Sequence, residues 1–388
     1  MPGLSVDAAR ALDGPDWLRA RRERAAEQAA AADLPSTEEE IWRYSRIEEL
    51  DLDRFRPAPD EVSIEVHRGD PRVTVRPAAD VDERRLGSAE GPAPDVFAAW
   101  NDALSQPYVV HVPAGVTLTE PIVVTHRVHG DGAAAFPRLL VDAGPDSEAT
   151  VVERFASDDV AALVVPLVEL RAAPAARLRY VAVNDLGPKA WQIGHQLARG
   201  ERDSNTLIAS VALGGDYARV RSESRLDGPG AEARQIAVYF GEAHQMHDFR
   251  TLQDHVAPKT TSNLLFKGAV QGRARSVYTG LIHIGPEAKG ANAFQTNRNL
   301  KLSDGAWAES VPNLDIETND VRCSHASAVG PVDEDQRFYL ESRGVPPGVA
   351  ERLIVLGFFD EVLTQLPVPG LAAEMRDQVA AKLDRRDG

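Results

Sequence analysis

The sequence predicts a mainly β protein with helical segments before and after the β region, and three observations predict it. From about Pro107 to about Val329, runs of alternating apolar and polar residues recur: YVVHV, VTLTEPIVV, RLLVDA, ATVVERF, LVVPLVEL, RLRYVAV, NTLIASVAL, YARVRSES, RQIAVYFG, NLLFKGAV, SVYTGLIHI and NLDIETNDVRCSH. Most are roughly 5–9 residues long at strand period and begin about 10–15 residues apart. Turn-forming clusters separate them, among them PAG, DAGPDS, LGGD, LDGPG and IGPEAKG. The stretches before Pro57 and after Asp333 carry helical patterns instead.

Residues 1–106 form an N-terminal helical and mixed region. Asp16–Ala32 is rich in Ala, Arg and Glu, all good helix formers, and Leu34-Pro35 ends it. Ser36 and Glu39 have capping-box spacing, which predicts a second helix carrying Ile41, Trp42, Tyr44 and Ile47 towards a partner surface. Pro57-Ala58-Pro59 breaks that pattern, IEVH and RVTVRP read as short strands, and GSAEGPAPD (87–95) reads as a hinge. A short helix follows around Asp95–Ser105.

Residues 107–330 form the β core. A dozen or so strands exceed what one sandwich of immunoglobulin type holds. Two sandwiches, a large barrel and a β-helix remain open on periodicity, and a stacked solenoid accommodates the number most easily.

Residues 331–388 form a C-terminal helical region. Gly344 stands where a helix C′ residue is expected after DEDQRFYLESRG. Pro346-Pro347 opens the next helix, with Val349, Leu353, Leu356, Val362, Leu363 and Leu366 as an apolar stripe broadened by Phe358 and Phe359. Pro367 and Pro369 stop it, and AAEMRDQVAAKLDRR is a final amphipathic stretch. A terminal helical pair capping a solenoid is also a place for partners to dock.

The formal charge is −16, from 59 acidic and 43 basic side chains, with no basic stripe, so nucleic acid is not an expected partner. The single cysteine, Cys323, excludes an intrachain disulfide and a four-thiolate metal site. The N-terminus lacks a signal-peptide pattern and no run is apolar enough for a membrane span, so a cytoplasmic chain with a reduced thiol is expected. Neither G-x-x-x-x-G-K-[ST] nor G-x-G-x-x-G occurs, nor G-x-S-x-G nor H-E-x-x-H, so no nucleotide site and no enzyme activity are expected of this chain.

His244, His247 and His255 cluster in GEAHQMHDFRTLQDH, but on a strand His244 and His247 face opposite sides, which favours structural roles. His67, His111, His126, His129, His195 and His283 belong to no evident ligand cluster. ETNDVRCSHAS is more informative. On a strand Cys323 and His325 share a face, with Glu317, Asn319 and Val321 before them on the same side. Thiolate and imidazole together suit iron, zinc or a cluster iron. Two ligands do not complete a four-coordinate ion, so the rest would come from water, a distant residue or another chain. The bland alternative is that the pair simply packs.

The run PNLDIETNDVRCSH followed by DEDQRFYLESRG, with EEIWRYS at Glu39–Ser45, resembles the SufB/SufD family of the Suf iron–sulfur cluster assembly system, on its SufD side. The resemblance is strong over about a third of the chain and loose over most of the rest. It implies a right-handed parallel β-helix flanked by helical regions and pairing with a SufB-like sister scaffold. It also implies a SufC-like ABC ATPase bound through the C-terminal helices, which would supply the nucleotide site. Cys323 and His325 match SufD positions at the interface with SufB, where the histidine is implicated in assembling a transient cluster or iron. The SufB assembly cysteine corresponds to Asn297 here, and SufB's glutamate-containing counterpart of RCSH is replaced by Cys323-Ser324-His325. Ala326 stands where a glycine often follows the histidine. A non-catalytic scaffold-partner subunit of a SufBCD complex is therefore expected. The rivals are a purely structural partner with no ligand role and an exported β-helical carbohydrate-active enzyme. A homodimer and flavin involvement stay open.

Overall fold

The computed structural model describes residues 4–80, 86–87 and 93–385. At its centre is a parallel β-solenoid of about eight turns. The first wall contains the strands Tyr108–Val112, Arg138–Ala143, Leu167–Ala172, Ala190–Gly200, Tyr217–Leu226, Met246–His255, Arg275–Ile284 and Trp307–Ile316. The second contains Ile122–Val128, Glu148–Ser157, Arg177–Asp185, Asn205–Ala212, Glu232–Gly241, Thr261–Val270, Ala291–Lys301 and Val321–Gly330. The chain alternates between the walls, so each strand pairs in parallel with those one turn away. Met246 lies between Tyr217 and Arg275, and Thr261 between Glu232 and Asn292. Among the three β folds that periodicity left open, this parallel register selects the β-helix.

The two ends of the solenoid differ. At the start, Val62–His67 pairs antiparallel with Ile122–Val128, and Thr74–Pro77 with Tyr108–Val112, so the first turn is covered. At the far end, Trp307–Ile316 and Val321–Gly330 are the last strands of their sheets, each paired on one side only among the described residues.

Alternation sets the core. In the early turns the lumen is filled by apolar side chains such as Val112, Ile122, Val141, Val151, Leu170 and Leu178. Full burial of each stabilises the fold by about 1.5–3 kcal/mol. In later turns the lumen also carries polar side chains, some of them hydrogen-bonded to one another: the Tyr239 hydroxyl donates to Asn299 Oδ1 (2.7 Å) and accepts from Asn297 Nδ2 (2.9 Å). At one corner of successive turns, Gly115, Asp146, Ala175, Asp203, Gly230, Lys259 and Gly290 all hold φ between 56° and 76°. The N–H of each donates to a carbonyl of the next turn, from Gly115 to Pro145 through to Gly290 to Asp320. This left-handed corner forms the same interturn bond whether or not glycine occupies it.

Helices cover both outer walls. On the first wall lie α1 (Val6–Arg10), α2 (Asp16–Ala31) and α3 (Val96–Leu104), with Trp42, Phe97 and Trp100 packed in one cluster with Leu163, Val165, Trp191 and Ile193. Asp95 caps α3, accepting from Ala98 N at 2.9 Å. The C-terminal part comprises α4 (Glu334–Ser342), α5 (Pro347–Leu363) and α6 (Pro369–Asp384). Asp333 caps α4 by accepting from Gln336 N, and Gly344, at φ 83°, ends it.

Three expectations change. The helix placed after Ser36 is instead a pair of 3-10 turns, Glu40–Trp42 and Ile47–Glu49. Ser36 N does donate to Glu39 Oε1 (3.0 Å), but the chain must turn to bury both Trp42 and Ile47 against the first wall. The helical pair α5 and α6 does not cap the solenoid end. It lies along the second wall, where Val355, Phe359, Val362, Met375 and Val379 share a cluster with Val181, Ala209, Ile236 and Val238. Val349 and Leu353 of the expected stripe are exposed instead. Most of the expected hinge at 87–95 lies outside the described residues.

Candidate functional site at the open end of the solenoid

Cys323 and His325 lie on Val321–Gly330, the last strand of the second wall. Register places Cys323 over Ala293 and His325 over Gln295. Ala293 and Gln295 are buried lumenal positions, whereas Phe294 between them is exposed. The two candidate ligands therefore share the lumenal face of the final turn, at its open mouth.

Their environments differ. Cys323 is half-buried against Ile282, Ile284, Ala288, Ala291 and Ala293, and this burial raises the thiol pKa above its ordinary value. At neutral pH the sulfur is a thiol, and metal binding would have to displace its proton. His325 is exposed, and among the described residues no hydrogen bond or ion pair engages it. One donor is sheltered and one is free. Neither completes a coordination sphere alone.

The strand does not extend back to Glu317 as its alternation suggested. Residues 317–320 form the turn between the last two strands, so Glu317 and Asn319 do not share the face of Cys323. Glu317 turns instead to the first wall, where its Oε1 lies 3.4 Å from His283 Nε2. His283 Nδ1 meets Asp254 Oδ1 at 2.7 Å, and Asp315 is the direct register partner of His283. The His283, Asp315 and Glu317 donor atoms all lie within 4.8 Å of one another. Sequence reading left His283 outside any cluster. Its partners come from a neighbouring turn, and the only available signal was the acidic pair around Ile316.

The other histidines have structural or solvent settings. His247 is fully buried, its Nε2 3.3 Å from Phe240 O, and burial lowers its pKa to about 3. His255 lies in the lumen between Thr260 and Ser262 hydroxyls, and His244 is exposed on a turn. Buried His126 meets Glu153, whose other oxygen accepts from Tyr180 Oη at 2.6 Å. Asn297, expected to stand where SufB carries its assembly cysteine, is buried and held by Tyr239 and Asn299.

These features define a parallel β-solenoid with donor side chains gathered at one uncovered end. The chain belongs to the SufBD family: the family model for the SUF system FeS cluster assembly SufBD core domain matches residues 126–358. It is 34% identical over 375 residues to an iron–sulfur cluster assembly SufBD family protein of Mycobacterium tuberculosis, covering 91% of this chain and 89% of that protein. It is similar to the iron–sulfur cluster assembly protein SufD of Escherichia coli, with 25% identity over 93% of this chain and 91% of the relative. The Bacillus subtilis SufD is 30% identical over 71% of this chain and 63% of its own length. Among the described residues, no helix is long and apolar enough to cross a membrane.

Proposed function

We propose that this chain is the SufD-like, non-catalytic partner scaffold of a cytoplasmic SufBCD complex, supporting assembly of iron–sulfur clusters. The observation carrying this reading is the placement of Cys323 and His325 at the mouth of the only solenoid end left uncovered among the described residues. A SufB-like scaffold docks at that end, and His325, with Cys323 behind it, contributes part of the coordination of an iron or nascent cluster. The cluster is cargo, passed on to other proteins. Exposed Leu314, Ile316 and Val329 suit an edge that a partner covers. A SufC-like ATPase on the C-terminal helices would drive relative movement of the scaffolds, a rigid-body switch.

The test is co-expression with the sister scaffold and the ATPase, followed by anaerobic measurement of cluster content. His325→Ala is expected to leave the complex assembled while cluster yield falls sharply, and Cys323→Ser to lower it less. Normal cluster yield in an assembled His325→Ala complex would remove the ligand role and leave a purely structural partner.

A further inference from the structure

We propose that His283, Asp315 and Glu317 form a second metal site, separate from Cys323 and His325, that holds a divalent transition-metal ion. The geometry and chemistry of these three residues support the site itself. Its assignment to Fe(II), and to iron supply at this end of the solenoid, rests on the function proposed above.

The backbone brings the donors together. Ile282 and Ile284 are fully buried in the lumen, so His283 between them faces outward. Asp315 is its partner on the next strand, and Glu317 follows two residues on, where that strand gives way to the turn leading to Val321. One imidazole nitrogen and two carboxylates thus meet within 4.8 Å. Metal–donor bonds of about 2.0–2.2 Å require only small side-chain rotations to close on one ion.

The imidazole is also held as a ligand would be. Asp254 Oδ1 lies 2.7 Å from Nδ1, and Arg225 Nη1 donates to Asp254 Oδ2 at 2.7 Å. Asp254 is nearly buried, so its position is fixed. An Nδ1–H directed at Asp254 leaves the Nε2 lone pair facing Glu317 and Asp315. A carboxylate behind a histidine, setting its tautomer and ring orientation, is a recurrent support for metal-bound imidazole. The 3.4 Å separation of Nε2 from Glu317 is longer than a well-formed N–H···O bond.

Charge points the same way. Arg225 answers Asp254, but among the described residues no Arg or Lys pairs with Asp315 or Glu317, leaving two carboxylates against one imidazole. A dication balances that excess. One nitrogen with two oxygen donors suits Fe(II), Mn(II), Co(II) or Zn(II), and the imidazole disfavours Mg(II) and Ca(II). The site is open to solvent on one side, which leaves coordination positions for water or an incoming ligand and favours exchange.

The metal-stripped full-length chain, handled without oxygen, is titrated with Co(II) followed by visible absorption and with Mn(II) followed by loss of the free-ion EPR signal. Fe(II) is measured by chelator competition. One equivalent is expected to bind. His283→Gln should weaken binding by about tenfold or more and change the Co(II) spectrum, and Asp254→Asn should weaken it by about 10–100-fold. The paired substitution Asp315→Asn/Glu317→Gln should abolish it, while the Cys323→Ser/His325→Ala chain should still bind. Thermal melting followed by circular dichroism confirms that each variant is folded. Absence of stoichiometric binding to the wild-type chain, or binding unchanged by His283→Gln, overturns the site and identifies a hydrated ion pair only. That result leaves the cluster assay on His325→Ala standing. Conversely, a normal cluster yield in that assay leaves the titration valid and withdraws only the assignment to iron supply.

Discussion

Tyr239 pairs with Gly268 in adjacent strands of the second wall, and its ring fills the volume that a side chain at 268 would occupy. The ring cannot retreat, because its hydroxyl is tied to Asn297 and Asn299 and its face packs near Phe249. Gly268→Ala is therefore expected to destabilise the chain by about 1–3 kcal/mol, the usual cost of overpacking. Urea unfolding measures it. Tyr239→Leu should destabilise alone yet recover part of the Gly268→Ala loss when the two are combined. Strictly additive losses would show that the ring is not what excludes a larger residue.

The left-handed corner gives a prediction of opposite sign. Ala175 holds φ 59°, a conformation in which its Cβ crowds the backbone, and its N–H still donates to Arg202 O at 2.9 Å. Glycine removes the crowding but adds freedom to the unfolded chain. Ala175→Gly should yield a net gain of about 0.5–1 kcal/mol, seen as a higher denaturation midpoint with unchanged m-value. A lower midpoint would mean that the freedom glycine adds to the unfolded chain outweighs the strain it relieves.

Acid should weaken the fold through His247. Its folded pKa of about 3 is depressed first by burial and then by the nearby Lys382 ammonium. In the unfolded chain the imidazole takes its proton near pH 6.5. Between pH 6.5 and about 3 the unfolded state binds the extra proton, so this contribution is complete above 6.5 and declines as pH falls. Each unit below 6.5 removes about 1.4 kcal/mol. His247→Gln stays neutral and can still donate to Phe240 O. Stability measured from pH 7 to 5 should fall less steeply in this variant than in wild type. Parallel curves would place the acid sensitivity elsewhere.

Strand-period alternation made the solenoid's strands legible, and Gly344 as a helix C′ residue located the end of α4, because both signals are local. The corner was only partly legible: Gly115, Gly230 and Gly290 announce a positive φ, whereas Asp146, Ala175, Asp203 and Lys259 do not. Stacking between turns, a non-local effect, holds these four in place. The same limit explains the 3-10 turns at Glu40–Trp42 and Ile47–Glu49, where anchoring Trp42 and Ile47 on the first wall overrides the capping-box signal. Cys323 and His325 were readable because two residues on one strand share a face. His283 with Asp315 was not, since their meeting depends on the length of the intervening turn of solenoid.

The last prediction concerns the C-terminal helices. Phe338 and Tyr339 on α4 are 72% and 58% exposed, and Val349 and Leu353 on the first turns of α5 are about half exposed. The rest of α5 is anchored to the second wall through Val355, Phe359 and Val362, and Lys267 pins it further by donating to Phe358 O at 2.8 Å. The anchored α5 thus holds Val349 and Leu353 out of the packed cluster, and α4 presents Phe338 and Tyr339 to solvent. Large side chains of this kind carry much of the energy of protein interfaces. If the SufC-like ATPase docks here, Phe338→Ala combined with Leu353→Ala should cost about 2 kcal/mol or more of binding, measured by titration of the purified ATPase. The same substitutions should change the chain's own stability by no more than about 0.5 kcal/mol, as expected for exposed positions. Undiminished ATPase affinity in the doubly substituted chain would move the docking surface away from α4 and α5.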